Sequence, residues 1–432
     1  MRYRPIPSSL FVENRKRLKS HLQPNSLAVV NNNDVLPTNA DGSLLLFPSS
    51  DLFYLTGIEQ EESILLLYPD SSEEKFKEIL FLRDITPMTE TWEGKKLDKA
   101  EASRLSGIST VEWLSSFPAL FRRLMCESDN VYLNSNEHKR ASLPVETRES
   151  RFVAECQKNY PLHHYHRLAK ILHRLRAVKS SEEVALIRQV CDITEAGFRR
   201  VARYLKAGVT ETEVEAEFAH EFIRRGGGFA YSPIIASGVN ACALHYIQND
   251  KPCEDGDLVL LDVAASYAHY NSDLTRTLPV NGRFSRRQRA VYNSVLKVLK
   301  KSAASLVPGK LIRDWQKEAE GMIEYELLEL GLLKSSQIKK QDKNNPAFRK
   351  YFMHGVGHPI GLDVHDVGIT TEPMQAGWVM TCEPAIYIRE EAMAIRLEND
   401  YLITDNGPVN LLQSVPMETE DIEALMAKKL RK

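Results

Sequence analysis

The sequence lacks any apolar run approaching the ~18 residues that span a bilayer. Its opening segment, MRYRPIPSSLFVENRKRL, has neither the apolar core nor the small-residue cleavage site of a secretory signal. No membrane partner is expected, and a cytoplasmic location is. Cysteine is sparse: six residues (Cys126, Cys156, Cys191, Cys242, Cys253, Cys382), scattered, with no C-x-x-C pair. That fits reduced thiols better than a disulfide framework or a cysteine zinc site, and reads as six buried, small apolar side chains. A surplus of one charge is missing too. Lys and Arg number 56 against 58 Asp and Glu, a net charge of −2, so nothing supports a nucleic-acid partner. Internal repeats and low-complexity tracts are absent.

What remains is an ordinary globular composition, 43% hydrophobic and 26% charged over 432 residues. That length suggests two or three folding units burying about three quarters of the unfolded surface.

Two textures follow one another along the chain. Before residue ~176, short β-like runs (Ser26–Val30, Ser43–Phe47, Ser63–Tyr68, Glu78–Leu82, Asn130–Leu133) alternate with helical ones (Phe11–Leu22, Lys99–Leu105, Trp113–Leu124). That alternation predicts an α/β domain with a mixed sheet. Beyond it, Ser180-x-x-Glu183, Thr210-x-x-Glu213 and Ser285-x-x-Gln288 read as capping boxes opening helices, and a fourth helix runs from Ile312 to Leu330. Strand pairs intervene, Leu258–Ala264 with Ser272–Val280 and Trp378–Ile388 with Ala394–Thr404. The order helix, helix, hairpin, repeated, describes a duplicated α+β half. The expected domains are residues 1–175 and 176–432, with a border good to about ±5 residues.

Three segments carry chemistry. In DLVLLDVAASYAHYNSDLTRTLPV, Asp262 sits inside an apolar run, where an isolated carboxylate is prohibitive unless paired, neutralised or metal-bound. Asp273 lies at an odd separation from it, the spacing of two residues opposed across an antiparallel hairpin. Carboxylates that close repel unless a cation lies between them. FMHGVGHPIGLDVHDVG places His354, His358 and His365 in one glycine-rich segment, and neutral imidazole is a common ligand and acid–base group. TCEPAIYI and AIRLENDYLIT embed Glu383 and Glu398 in apolar strands, again at an odd separation, with Arg396 on the face of Glu398. Each feature alone has a plainer reading: a turn Asp, a core His, a surface Glu, an ion pair. Jointly, two Asp and two Glu balance two divalent cations, and one His adds a neutral nitrogen. Oxygen-rich donors favour Mn²⁺, Co²⁺ or Mg²⁺ over structural zinc. A two-metal centre activates water and clamps a developing oxyanion, which is hydrolytic chemistry.

These motifs, together with SSDLFYLTGIEQEESILLLYPD and RDITPMTETWEGKKL, resemble aminopeptidase P (X-Pro aminopeptidase) of the pita-bread metallopeptidases, whose relatives include prolidase, methionine aminopeptidase and creatinase. The resemblance implies an aminopeptidase P-type α/β N-terminal domain before an α+β pita-bread catalytic domain. It implies two divalent ions, commonly manganese, with Asp273 and Glu398 bridging, Asp262 on one ion, and His358 with Glu383 on the other. It further implies Glu383 as proton shuttle, and His245 and His365 bonding the substrate and stabilising the tetrahedral intermediate. His354 would line the proline pocket, and Tyr231 and Arg396 would orient carboxylates. Trp92 matches a tryptophan that relatives extend into a neighbouring subunit's active site, so a homodimer or homotetramer is implied. The activity implied is that of a metallo-aminopeptidase releasing the first residue from peptides with proline second. An X-Pro dipeptidase (prolidase) shares the metal site, a non-catalytic binding module would share only the fold, and methionine aminopeptidase lacks the large N-terminal domain. Two departures stand out. Ala385 replaces the glycine of the usual EPG, which implies mild strain if that position has φ > 0. QAGWVMT replaces a PGM-like approach to the same strand.

Overall fold

A computed structural model describes residues 2–142, 144–342 and 344–428. The chain forms two compact units, one of residues 4–176 and one of residues 177–432 with the first three.

The first unit is built on a six-stranded mixed sheet: β1 (Ser26–Asn31), β2 (Ile64–Leu67), β3 (Glu78–Leu82), β4 (Thr110–Trp113), β5 (Asn130–Leu133) and β6 (His164–Arg167). The spatial order is β4-β3-β2-β1-β5-β6. β1–β2 and β2–β3 pair antiparallel; the remaining neighbours are parallel. The central strands are apolar on both faces, as buried sheet strands are, and β1 and β2 are buried along their whole length. Helices α1 (Ser8–Lys19), α2 (Ser50–Thr56), α3 (Pro87–Glu93), α4 (Lys99–Ser106), α5 (Phe117–Glu127), α6 (Arg148–Asn159) and α7 (Ala169–Ala177) complete the unit. Phe121, Leu124 and Met125 of α5 and Phe152 of α6 share a core with Leu27, Val29, Leu66 and Phe81 of the sheet. Each such fully buried side chain contributes ~1.5–3 kcal/mol.

One expectation fails here. Ser43–Phe47 is not a strand: beyond one bridge between Ser43 and Pro37 it is loop, with Leu45 82% exposed. A β-like composition forms a strand only where a neighbouring edge can pair with it. The helical stretch expected around Trp113–Leu124 is found one residue later. Trp113 closes β4 and caps a 3₁₀ turn, Leu114–Ser116, that runs into α5 at Phe117, with Pro118 in its first turn, where a missing N–H is tolerated.

The second unit opens with a capping box at Ser180 that starts α8 (Ser181–Tyr204), followed by α9 (Glu211–Arg224), itself boxed by Thr210. Short strands follow: β7 (Gly228–Phe229), β8 (Ile234–Ser237), β9 (Leu258–Asp262), β10 (Ala265–Tyr267), β11 (Tyr270–Asn271) and β12 (Thr275–Pro279). Then come α10 (Arg286–Ala304), α11 (Ile312–Glu329) and α12 (Ser335–Lys340). The last elements are β13 (Val379–Cys382), β14 (Ala385–Ile388), β15 (Met393–Arg396), β16 (Asn399–Leu402), β17 (Val409–Asn410) and α13 (Thr419–Met426). The order of helices followed by strands occurs twice, as the pattern predicts, with the short α12 added to the second helix pair. Indole Nε1 of the fully buried Trp315 donates to Ser302 O at 2.8 Å, tying α11 to α10.

The hairpin opposition of Asp262 and Asp273 is not found. Across β9–β12 Asp262 faces Thr275, and Pro279 faces Leu258. The intervening residues fold into a second small hairpin, β10–β11, which displaces the register by two. A two-residue displacement preserves side-chain parity, so Asp273 stays on the face of Asp262. Ala385 lies in β14 and is not among the positive-φ residues, so the expected strain is absent. The six cysteines are free, and Cys126 is exposed rather than buried.

Candidate metal centre

The candidate residues sit where strands end or break. Asp262 closes β9, Asp273 precedes β12, Glu383 lies between β13 and β14, and Glu398 between β15 and β16. The pairings β13–β16 and β14–β15 share one register, and continuing it through the break sets Glu383 against Glu398. At that break the ladder opens: Glu383 N donates to Val356 O (2.8 Å) and Glu398 N to Thr275 O (3.1 Å). The histidine segment runs along β13, with Thr381 N donating to His358 O at 2.8 Å and Ile360 N to Val379 O at 3.0 Å. The sheet therefore binds the backbone and leaves side chains from four chain segments free to converge.

Among the described residues, Asp273, His358 and Glu398, all buried, bring one ligand atom each within 4.8 Å of one another. His358 Nε2 lies 3.6 Å from Asp273 Oδ2 and 3.8 Å from Glu383 Oε1. Tyr231, in the turn after β7, donates its hydroxyl toward Asp262 Oδ1 and Asp273 Oδ1, each at 2.6 Å. Arg396 Nη2 pairs with Asp262 Oδ2, while its Nη1 reaches Tyr387 Oη at 2.7 Å. Thr275 Oγ1 donates to Glu398 Oε2 at 2.6 Å, and Asp400 Oδ2 accepts the backbone N–H of Asp273 at 3.0 Å. His354 lies 3.6 Å from Glu383 through Nδ1 and 2.8 Å from Tyr387 Oη through Nε2. The His365 ring stands edge-on to that of His358, centroids 4.3 Å apart. His245 is exposed on the turn after Cys242, near enough to His354 for its charge to bear on it. Trp92 belongs to the first unit, on α3, 80% exposed.

The electrostatics fit a cation. Burial, then the charges of Glu398 and Asp262, holds the Asp273 carboxyl far above the ordinary carboxylate range. Burial and Asp262 raise Glu398 to about 7, and burial raises Asp400 strongly. Carboxyls in this condition either keep protons or meet positive charge, and metal coordination is the second solution. A donor set of carboxylate oxygens with one imidazole suits hard or borderline divalent ions. Burial, then Arg396, lowers His354 to about 3, so it stays a neutral imidazole. Arg396 remains cationic: burial opposes its charge, but Tyr387 and Asp262 more than offset it.

Thr275, Tyr387 and Asp400 were not visible as site residues in the sequence. Thr275 and Tyr387 act through contacts that depend on register. Asp400 carried a signal, an acid embedded in the apolar run two residues after Glu398.

Residues 185–405 match the sequence family Metallopeptidase family M24, and residues 11–132 match Aminopeptidase P, N-terminal domain. The chain is 34% identical to the Xaa-Pro aminopeptidase of Haemophilus influenzae, covering 98% of both chains. It is 33% identical to that of Escherichia coli, covering 96% of this chain and 97% of the other. A zinc-substituted E. coli aminopeptidase P in complex with product superposes with a TM-score of 0.87, at 31% identity over 99% of this chain and 100% of that one. The fold is thus an aminopeptidase P-type α/β N-terminal domain followed by an α+β pita-bread domain. With both domains in the same order and the likeness running end to end, the chain belongs to metallopeptidase family M24.

Proposed function

We propose that this enzyme is an X-Pro aminopeptidase, releasing the first residue from peptides whose second residue is proline. The observation that carries the reading is the convergence of Asp273, His358 and Glu398, with Asp262 and Glu383 alongside, in a chain alike over its full length to Xaa-Pro aminopeptidases. That full-length likeness, N-terminal domain included, favours the aminopeptidase over an X-Pro dipeptidase.

Asp262, Asp273, His358, Glu383 and Glu398 would hold two divalent ions, manganese being the one we favour. When bound, they supply Lewis acidity for the scissile carbonyl and acidify a water. The chain's own groups do the rest. Tyr231 and Arg396 fix the orientation of Asp262 and Asp273, limiting their rotation before substrate arrives. Glu383 takes a proton from the attacking water and passes it to the prolyl nitrogen as the C–N bond breaks. His245 and His365 donate to the carbonyl oxygen as charge grows on it. His354, neutral and held by Tyr387, offers an uncharged wall to the proline ring. Proline suits such a site: its tertiary amide has no N–H for an ordinary protease cleft, and its ring is rigid.

The six free cysteines support a cytoplasmic setting. No described helix is long and apolar enough to cross a membrane. The exposed Trp92, on a helix with no buried residue, supports a homodimer or homotetramer in which it meets a neighbouring chain.

The test is release of arginine from Arg-Pro-Pro with added Mn²⁺, beside an X-Pro dipeptide. Turnover of the tripeptide, lost in Asp273→Ala, is expected. No release, or release undiminished by that substitution, ends the reading; turnover of the dipeptide alone makes the enzyme a prolidase.

A further inference from the structure

The first unit holds a cavity of about 510 Å³ that has no part in the chemistry above. Its floor is aromatic. Phe117 and Phe121 of α5 stack, centroids 5.2 Å apart and planes 12° from parallel; Phe152 of α6 lies 5.4 Å from Phe121, and Tyr160 meets Phe121 edge-on at 5.9 Å. Its rim is basic: Arg122, Arg148 and Arg151 stand against one acid, Glu155. Arg151 is committed to Asp34, at 2.7 Å. Among the described residues, no carboxylate lies within 4.0 Å of Arg122 or Arg148.

Arg148 is the telling residue. It is half-buried, and among the described residues one of its five N–H groups finds a protein acceptor, on Nη2, 3.2 Å from Glu62 O, while the others are not sealed from solvent. A guanidinium partly withdrawn from water normally has a carboxylate or several carbonyls to repay the loss. Burial lowers the basicity of Arg148, and the nearby charges of Glu62, Asp34 and Glu149, none of them in contact with it, offset this only in part. An exposed surface arginine is ordinary; a half-buried, underused one above an aromatic floor is not.

We propose that this cavity binds a small organic anion, an aromatic or branched apolar body carrying one carboxylate, with the body on the phenylalanine rings and the acid group on Arg148. A plain hydrocarbon would leave the guanidinium without a contacting anion. An inorganic anion would leave the rings wet. The volume lies in the range of single small-molecule sites and is too small for a macromolecular segment of any length.

The experiment is calorimetric titration of the full chain with 3-phenylpropionate, 3-phenylpropan-1-ol and inorganic phosphate, with a chelator present to keep the metal centre from competing. Saturable binding of the acid is expected, with the alcohol and phosphate about 10- to 100-fold weaker, the worth of one charge-assisted hydrogen bond. Arg148→Gln should abolish the advantage of acid over alcohol while leaving hydrolysis of Arg-Pro-Pro unchanged. Phe117→Ala, at a half-buried position, should weaken both ligands, and it decides the matter where Arg148→Gln does not fold. No saturable binding below ~10 mM, equal binding of acid and alcohol, or indifference to both substitutions overturns the proposal. So does sedimentation showing that a second copy of the chain covers the cavity.

Discussion

The ammonium of Lys179 meets the carboxylate of Asp366 at 2.9 Å, with each side chain only 1% exposed. The pair closes the segment that carries His358 and His365. Asp366 N donates to Pro359 O, and Asn271 clamps the far side through Gly361 O (3.1 Å) and Leu362 O (3.0 Å). A Cβ on Gly361 would lie 2.3 Å from Asp366 Oδ2, so the bridge is possible only over a glycine. Removing one partner of a buried pair leaves the other charge uncompensated. Lys179→Met should therefore destabilise the second unit by about 3–5 kcal/mol, read as a lower urea midpoint.

Gly357 sets the approach of that same segment to β13. A Cβ there would fall 2.2 Å from Thr381 O and 2.8 Å from Trp315 Cη2, one backbone and one fully buried ring, neither able to retreat. Gly357→Ala should cost about 1–3 kcal/mol by overpacking and displace His358. Metal content measured by atomic spectroscopy should fall with it, and undiminished metal content would show that the segment yields without moving its imidazole.

Tyr231→Phe tests orientation apart from ligation. The hydroxyl serves Asp262 and Asp273 together, and the ring keeps its packing when the oxygen goes. A loss of roughly 10- to 100-fold in metal affinity or in kcat is expected, as for other groups that orient ligands, with kcat falling more than KM rises. A change confined to KM would place Tyr231 against the substrate instead.

Glu149 makes the first unit sensitive to pH. Burial raises its carboxyl to about 7 from an ordinary 4.5, although Asn31 donates to it through both backbone N (2.9 Å) and Nδ2 (2.8 Å). Between those values the folded chain holds a proton the unfolded chain has released. Stability is thus fully present below about pH 4.5, falls as pH rises toward 7, and is level above it, by up to about 3 kcal/mol. Urea titrations of the chain from pH 5 to 8 should show this decline, and Glu149→Gln should flatten it. An unchanged slope would assign the decline elsewhere.

The sequence by itself determined the chemistry-bearing residues and the local elements. The acids at 262, 383 and 398 stand out because a charge in an apolar run must be compensated, whatever the fold, and Asp273 by its odd separation from Asp262. The capping boxes at Ser180, Thr210 and Ser285 are short-range hydrogen-bond patterns, and each opens its helix at the expected residue. Long-range partners are another matter. Parity told that Asp262 and Asp273 share a face, but the β10–β11 hairpin that slides Asp262 opposite Thr275 depends on pairing with β7, far back in the chain. Ser43–Phe47 has the composition of a strand and no edge to join. Thr275 and Asp400 take their roles from neighbours more than 100 residues away in sequence, and Tyr387 takes its role from Arg396 on the paired strand and from His354. Local pattern is written in the side chains because helix caps and strand periodicity act over a few residues; the assembly of the metal centre was decided by tertiary structure, because only packing selects among the registers that local pattern allows.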